Sequence, residues 1–112
     1  MFLFACDVVR IAQELHRRGR IAGELSLQLV NAAVNAASNL EEADDGSSSR
    51  DFRAKDTIAL RELKESRLRL RILRATGYLT DQNDPVIQES HELVKIVATI
   101  IRNSEAKEVH RR

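Results

Sequence analysis

The segment RDFRAKDTIALRELKESRLRLRILRATGYL, residues 50–79, carries nine Lys/Arg against four Asp/Glu and has the apolar spacing of one long helix. At about 100° per residue, Phe52, Ala59, Leu63, Ser66, Leu70 and Leu73 fall on one face and form a core stripe. Arg53, Lys64, Arg67, Arg71 and Arg74 gather on an adjacent strip. On the far side Ile58, Leu68, Ile72 and Ala75 make a second apolar patch, more than one small chain hides by itself. That patch reads as an oligomer interface. Glu65 and Arg69 stand four apart in the order that supports a helix locally. Gly77 stops the helix, and Tyr78 and Leu79 fold back on its last turn.

Upstream, a helix over about residues 22–43 carries two apolar rows. One is Leu25, Leu29, Ala32, Ala36 and Leu40; the other is Leu27, Val30, Val34 and Ala37. Between them runs Glu24, Gln28, Asn31, Asn35, Ser38 and Glu42. Two apolar rows mean contact on two sides, as in a bundle or an oligomer. Asn31, Asn35 and Asn39 fix register if buried and signify little if exposed. Asp44 to Ser49 is a loop, with Ser49 the expected N-cap of the helix over 50–75. A first helix over about 3–18 has Phe4, Val8, Ile11 and Leu15 at steps of three and four, and a basic run with Gly19 ends it. A fourth spans about 85–103, with Asp84 as N-cap and Pro85 in its first turn. Its inward side chains are Val86, Leu93, Val94, Val97, Ile100 and Ile101. Residues 104–112 are polar and are expected to fray.

Composition agrees with an all-α domain. The chain has 112 residues, one Pro, four Gly, no Trp and 4% aromatics, so Leu, Ile, Val and Ala must build the core. The predicted architecture is a single antiparallel up-down four-helix bundle over residues 1–112, oligomeric through its excess apolar faces. The net charge of +1 is unevenly distributed. Residues 21–45 hold five acids and no Lys or Arg, whereas residues 50–74 carry a net +5. Helices of opposite sign attract, within one chain or between copies.

Enzyme chemistry finds little support. A di-iron bundle needs Glu-x-x-His pairs; His91 is preceded at that distance by Gln88, and His16 and His110 lie on other segments. No metal or other cofactor is expected. Glu41, Glu42, Asp44 and Asp45 cluster at a helix end without the walled pocket that shifts carboxylate pKa values. They read as solvated acids, or as partners for a neighbour's basic helix. Cys6 has no evident His partner or oxyanion site and reads as a small buried hydrophobe. Being alone it forms no intrachain disulfide, which fits a reducing cytoplasm. Leu3-Phe4-Ala5-Cys6 mimics a lipoprotein cleavage site, but no basic n-region or adequate apolar h-region precedes it. No run approaches the about 20 apolar residues of a membrane span.

The wording of four segments carries a family resemblance. They are Ala37-Ser38-Asn39-Leu40-Glu41-Glu42-Ala43, Ser49-Arg50-Asp51-Phe52, Ile58-Ala59-Leu60-Arg61-Glu62-Leu63-Lys64-Glu65-Ser66-Arg67 and Thr76-Gly77-Tyr78-Leu79. In order and spacing they resemble the bacterial four helix bundle protein family. It is also called the 23S rRNA intervening-sequence protein family, and it includes the accessory variability proteins of diversity-generating retroelements. The likeness spans about residues 25–103. The chain lacks the family's usual Trp in the first helix and the aromatic pair where Leu68 and Arg69 stand. The resemblance implies an antiparallel bundle, a ring-like homo-oligomer (commonly a pentamer) and no catalysis. It also implies contacts to RNA and a reverse transcriptase through basic surfaces.

The basic strip is the feature that points to a ligand. Cations at steps of three and four along a rigid helix track phosphates, so Arg53, Lys64, Arg67, Arg71 and Arg74 are candidate contacts to RNA or DNA. No aromatic interleaves with them, so single-strand stacking is not supported. The competing readings are a salt-bridged solvated face and a protein-interaction module with no nucleic-acid ligand.

Overall fold

Each apolar stripe winds into a helix, and the computed structural model describes residues 1–44 and 48–111. Among them are α1 (Phe2–His16), α2 (Arg20–Asp44), α3 (Ser49–Ala75), a 3₁₀ turn (Asp81–Asn83) and α4 (Asp84–Arg111). The core stripes come together. Phe4, Val8 and Leu15 of α1 meet Ala22, Leu29, Ala33 and Ala36 of α2, Leu63, Leu70 and Leu73 of α3, and Val94 and Val97 of α4. Ser26, Ser66 and Ser90 are buried beside them. Each donates its hydroxyl to a carbonyl of its own helix, Gly23, Glu62 and Ile87 respectively, so no hydroxyl is stranded.

Neighbouring helices in the chain are neighbours in space. α2 packs most extensively on α3, followed by α1 on α2 and α3 on α4, and α1 touches α4 only slightly. The helices also differ in length: α1 has 15 residues and α4 has 28, roughly 22 Å against 42 Å at the α-helical rise. The molecule measures 54 × 22 × 19 Å with a radius of gyration of 15.5 Å, against about 13 Å for a compact domain of this size. α1 therefore lines half of an elongated bundle, and the other half is built from α2, α3 and α4.

The helix ends differ from expectation in four places. Ser48, not Ser49, caps α3: it is extended (φ −144°) and its Oγ accepts the Asp51 N–H at 3.1 Å. Asp84 does not cap α4. A 3₁₀ turn precedes it, in which Thr80 Oγ1 accepts from the Gln82 N–H and Asn83 Oδ1 accepts from the Thr80 N–H. Asp84 follows as the first residue of α4, its carboxylate drawn to Arg74. α1 stops at His16 rather than Arg18, because Gly19 turns the chain at φ 112°. α4 does not fray at Asn103 but continues to Arg111. Residues 104–111 contain neither Gly nor Pro, and Glu105, Ala106, Lys107 and Glu108 are good helix formers.

Gly77 closes α3 as its sequence suggested. Its φ is 87°, the Tyr78 N–H reaches back to the Leu73 carbonyl at 3.0 Å and the Gly77 N–H to that of Arg74 at 3.3 Å. This is a Schellman end, and it buries Leu79 in the core. Arg18 ties the α1–α2 corner to the same place. Its guanidinium lies 5.2 Å from the centre of the Tyr78 ring and donates to the Tyr78 carbonyl at 2.6 Å.

Other expectations resolve at the side-chain level. Leu29, Ala32 and Ala36 of the first α2 row are buried, and Leu25 and Leu40 are half-buried. The second row borders α1 less closely, leaving Leu27 and Val34 exposed. Asn31 and Asn35 are exposed, and Asn39 donates locally to the Asn35 carbonyl, so these residues do not set register. Ile100 does not face in; it is exposed on α4, as Ile96 is, and α1 touches that helix only slightly.

Candidate nucleic-acid interface

Four cations of the strip meet α4, which runs antiparallel to α3: Arg53 near Glu108, Arg67 and Arg71 near His91, and Arg74 on Asp84. The two ends of the strip are neutralised. Arg74 Nε donates to Asp84 Oδ1 at 2.9 Å, with Nη2 at 3.5 Å from Oδ2. Arg53 Nη2 lies 3.9 Å from Glu108 Oε2. Between these two pairs Lys64, Arg67 and Arg71 have no carboxylate within ion-pair distance among the described residues. Lys64 and Arg71 are exposed and Arg67 is half-buried. The candidate ligand-binding set thus divides into two structural ion pairs and an unneutralised centre.

The opposite side of the seam adds two residues that sequence reasoning had not joined to the site. His91 and Lys95 of α4, one turn apart, face the same cations. Burial pushes the His91 imidazole below its ordinary pKa, and the charges of Arg67, Arg71 and Lys95 push it further in that direction. His91 lines an open concavity of about 540 Å³ with Arg71, Arg74, Ala75, Asp84 and Ile87. The signal that would have found it was the antiparallel register: pairing Arg74 with Asp84 brings the turns of α4 that follow Asp84 opposite Arg71 and Arg67.

The predicted interface residues Ile58, Leu68, Ile72 and Ala75 lie exposed on the outer face of α3. The first three expose 36%, 51% and 43% of their surface, so intrachain packing does not cover them. A second apolar surface lies between α1 and α2, an open groove of about 560 Å³ lined by Phe2, Cys6, Val9, Val34 and Ala37. Cys6 is therefore half-exposed at a groove wall rather than a buried core residue, off the face of α1 that buries Phe4, Val8 and Leu15.

The acidic cluster does not act as one unit. Glu42 pairs with Lys55 of α3 within the same chain. Glu41 borders the α1–α2 groove. Asp44 lies near Asp56 and raises its pKa. Asp45 lies outside the described residues. Asp56 was missed entirely: it is 2% exposed, and its Oδ2 has no hydrogen-bond partner among the described residues. His91 and His110 do not lie on separate segments as expected: both stand on α4, because that helix continues to Arg111, while His16 ends α1. Among the described residues no helix is long and apolar enough to cross a membrane.

The fold and sequence have known relatives. A crystal structure of a protein of unknown function from the S23 ribosomal protein family of Bacteroides thetaiotaomicron is similar, with 27% identity and a TM-score of 0.81, covering 89% of this chain and 93% of that one. No curated protein matches the chain. The profile of the 23S rRNA-intervening sequence protein family matches residues 1–99, which takes in α1, α2, α3 and most of α4. Four helices, their order and the Gly-Tyr-Leu end of α3 all fall within that match, and the chain belongs to the 23S rRNA-intervening sequence protein family.

Proposed function

We propose that this chain is a non-enzymatic, oligomeric helical scaffold of the cytoplasm that binds nucleic acid, RNA foremost, along the α3–α4 seam. The observation supporting this reading is the unneutralised centre of the strip. Lys64, Arg67 and Arg71 stand along two turns of a rigid helix without a carboxylate, while Arg53 and Arg74 on either side each have one. Contacts of this kind are to phosphates and select sequence weakly.

Ile58, Leu68, Ile72 and Ala75 serve as the self-association face in this proposal, since burial of exposed apolar surface drives assembly. A ring of five copies and a reverse transcriptase partner are what the family resemblance adds. The test is affinity for a short RNA duplex across a salt series. Three phosphate-binding cations give a slope of about −2 to −3 in log affinity against log salt. A slope near zero overturns the reading.

The second reading, a protein-interaction module, draws on the Lys55–Glu42 pair, where the acidic end of α2 already takes a cation from α3. Under it, charge reversal at Arg67 and Arg71 changes assembly and leaves no RNA binding to lose.

A further inference from the structure

The cations of α3 are half of a two-helix site. Arg71 and Arg74 of α3 line one concavity with His91 and Asp84 of α4, and Arg67, Arg71 and Lys95 lie near enough to act on the charge of the imidazole. Arg74 and Asp84 neutralise each other at 2.9 Å, and Asp81 of the 3₁₀ turn acts on Arg74 in the same sense. What remains around the imidazole is the charge of Arg67, Arg71 and Lys95. A neutral imidazole is the form such a setting favours in the free protein, because a fourth positive charge there is repelled and partly desolvated. The concavity beside it is open to solvent, so a phosphate oxygen reaches the imidazole without displacing packed side chains.

We infer that His91 is a phosphate contact of the nucleic-acid site, and that it takes up a proton when the backbone of an RNA settles between Arg67, Arg71 and Lys95. This rests on the nucleic-acid reading above and adds to it a residue, a second helix and a pH dependence. An anionic oxygen placed among these groups reverses the local potential. The imidazole then gains a proton and becomes a charge-assisted donor. Binding and protonation are linked, so affinity rises as pH falls through the pKa of His91 in the complex and levels off below its pKa in the free protein. Between those two values one proton is taken up, and the affinity changes by up to about tenfold per pH unit.

The experiment is fluorescence anisotropy of a labelled short RNA duplex with the full chain, at fixed salt, from mildly acidic to mildly alkaline pH. The expected result is a wild-type affinity that rises in acid and a His91→Gln affinity that is flat. His16→Gln and His110→Gln keep the wild-type profile. A second measurement uses the wild-type chain alone: the imidazole resonances of His91 are titrated by NMR with and without the RNA, and the His91 pKa moves upward on binding. RNA binding that is salt-dependent but flat with pH overturns the inference and leaves the nucleic-acid reading standing. So does a pH dependence that survives in His91→Gln, or an unmoved His91 pKa. Absence of binding at every pH at low salt removes the nucleic-acid reading itself, and the inference with it.

Discussion

Asp56 stands on the buried face of α3, between Phe52 and Ala59 at helical spacing, with only 2% of its surface exposed. Burial raises its pKa above the ordinary 3.8, and Asp44 raises it further. A carboxyl whose folded pKa is raised stabilises the fold fully below its unfolded pKa and loses that contribution as pH rises through the folded value. Wild type therefore gains stability as pH falls from neutral towards the ordinary carboxylate range. Asp56→Asn is expected to be more stable than wild type at neutral pH, by on the order of 1 kcal/mol, and to lose that advantage in acid. Urea denaturation at a series of pH values measures this. The same scale separates the roles of two neighbouring arginines. Arg71→Ala should lower RNA affinity and reduce the salt slope by about one. Arg74→Ala should mainly release Asp84 and change stability little, because the exposed pair is screened by solvent. The position of Asp56 was legible, since a step of four from Phe52 and of three to Ala59 lands on it. Its burial was not, because a carboxylate on an apolar stripe is ordinarily a surface interruption.

At the level of elements, the ends of the helices follow local chemistry closely. Gly77 adopts φ 87°, a region that costs an L side chain about 1–2 kcal/mol. A Cβ there would meet nothing within 4 Å, so the cost is purely conformational. Gly77→Ala should destabilise by about 1 kcal/mol with no change in fold, and Gly77→Asn by less; denaturant midpoints distinguish the two. The length of α4 shows the opposite case. Its polar C-terminal stretch has no apolar stripe to announce a helix, and residues 104–111 continue the helix through local propensity and the Arg53–Glu108 pair. Periodicity reports where a helix is buried, and a helix that runs on into solvent is silent to it. The Ser48 cap and the 3₁₀ turn before α4 differ from the expected caps by a few residues, because neighbouring Ser or Asp side chains compete for the same orphan N–H groups.

At the scale of the molecule, apolar surface is left over on the outside of α3 and between α1 and α2, besides Ile96 and Ile100 of α4. Leu68 and Ile72 stand on α3, and Phe2, Val9 and Val34 line the α1–α2 groove. A surface of one kind on α3 and a groove elsewhere favour head-to-tail contacts between copies, which close into rings when the rotation permits. Light scattering at micromolar concentration is expected to give a mass several times the 12.7 kDa of one chain. Leu68→Asp combined with Ile72→Asp is expected to reduce it to that of the monomer while leaving the helical circular dichroism intact. A wild-type monomer would overturn the assembly proposal.

The amino-acid sequence alone determined the helices, their core faces, the basic strip and the Gly77 stop, because each arises from spacings within a few turns of one helix. Tertiary structure decided which cations are spent. The antiparallel register of α3 against α4 sets Asp84 on Arg74 and Glu108 near Arg53, and it places His91 and Lys95 beside Arg67 and Arg71. It also decided that Ile96 and Ile100 stay exposed on α4, which α1 touches only slightly. Charge pairing and coverage between helices depend on how the helices are set against one another, which is not encoded in the period of a single helix.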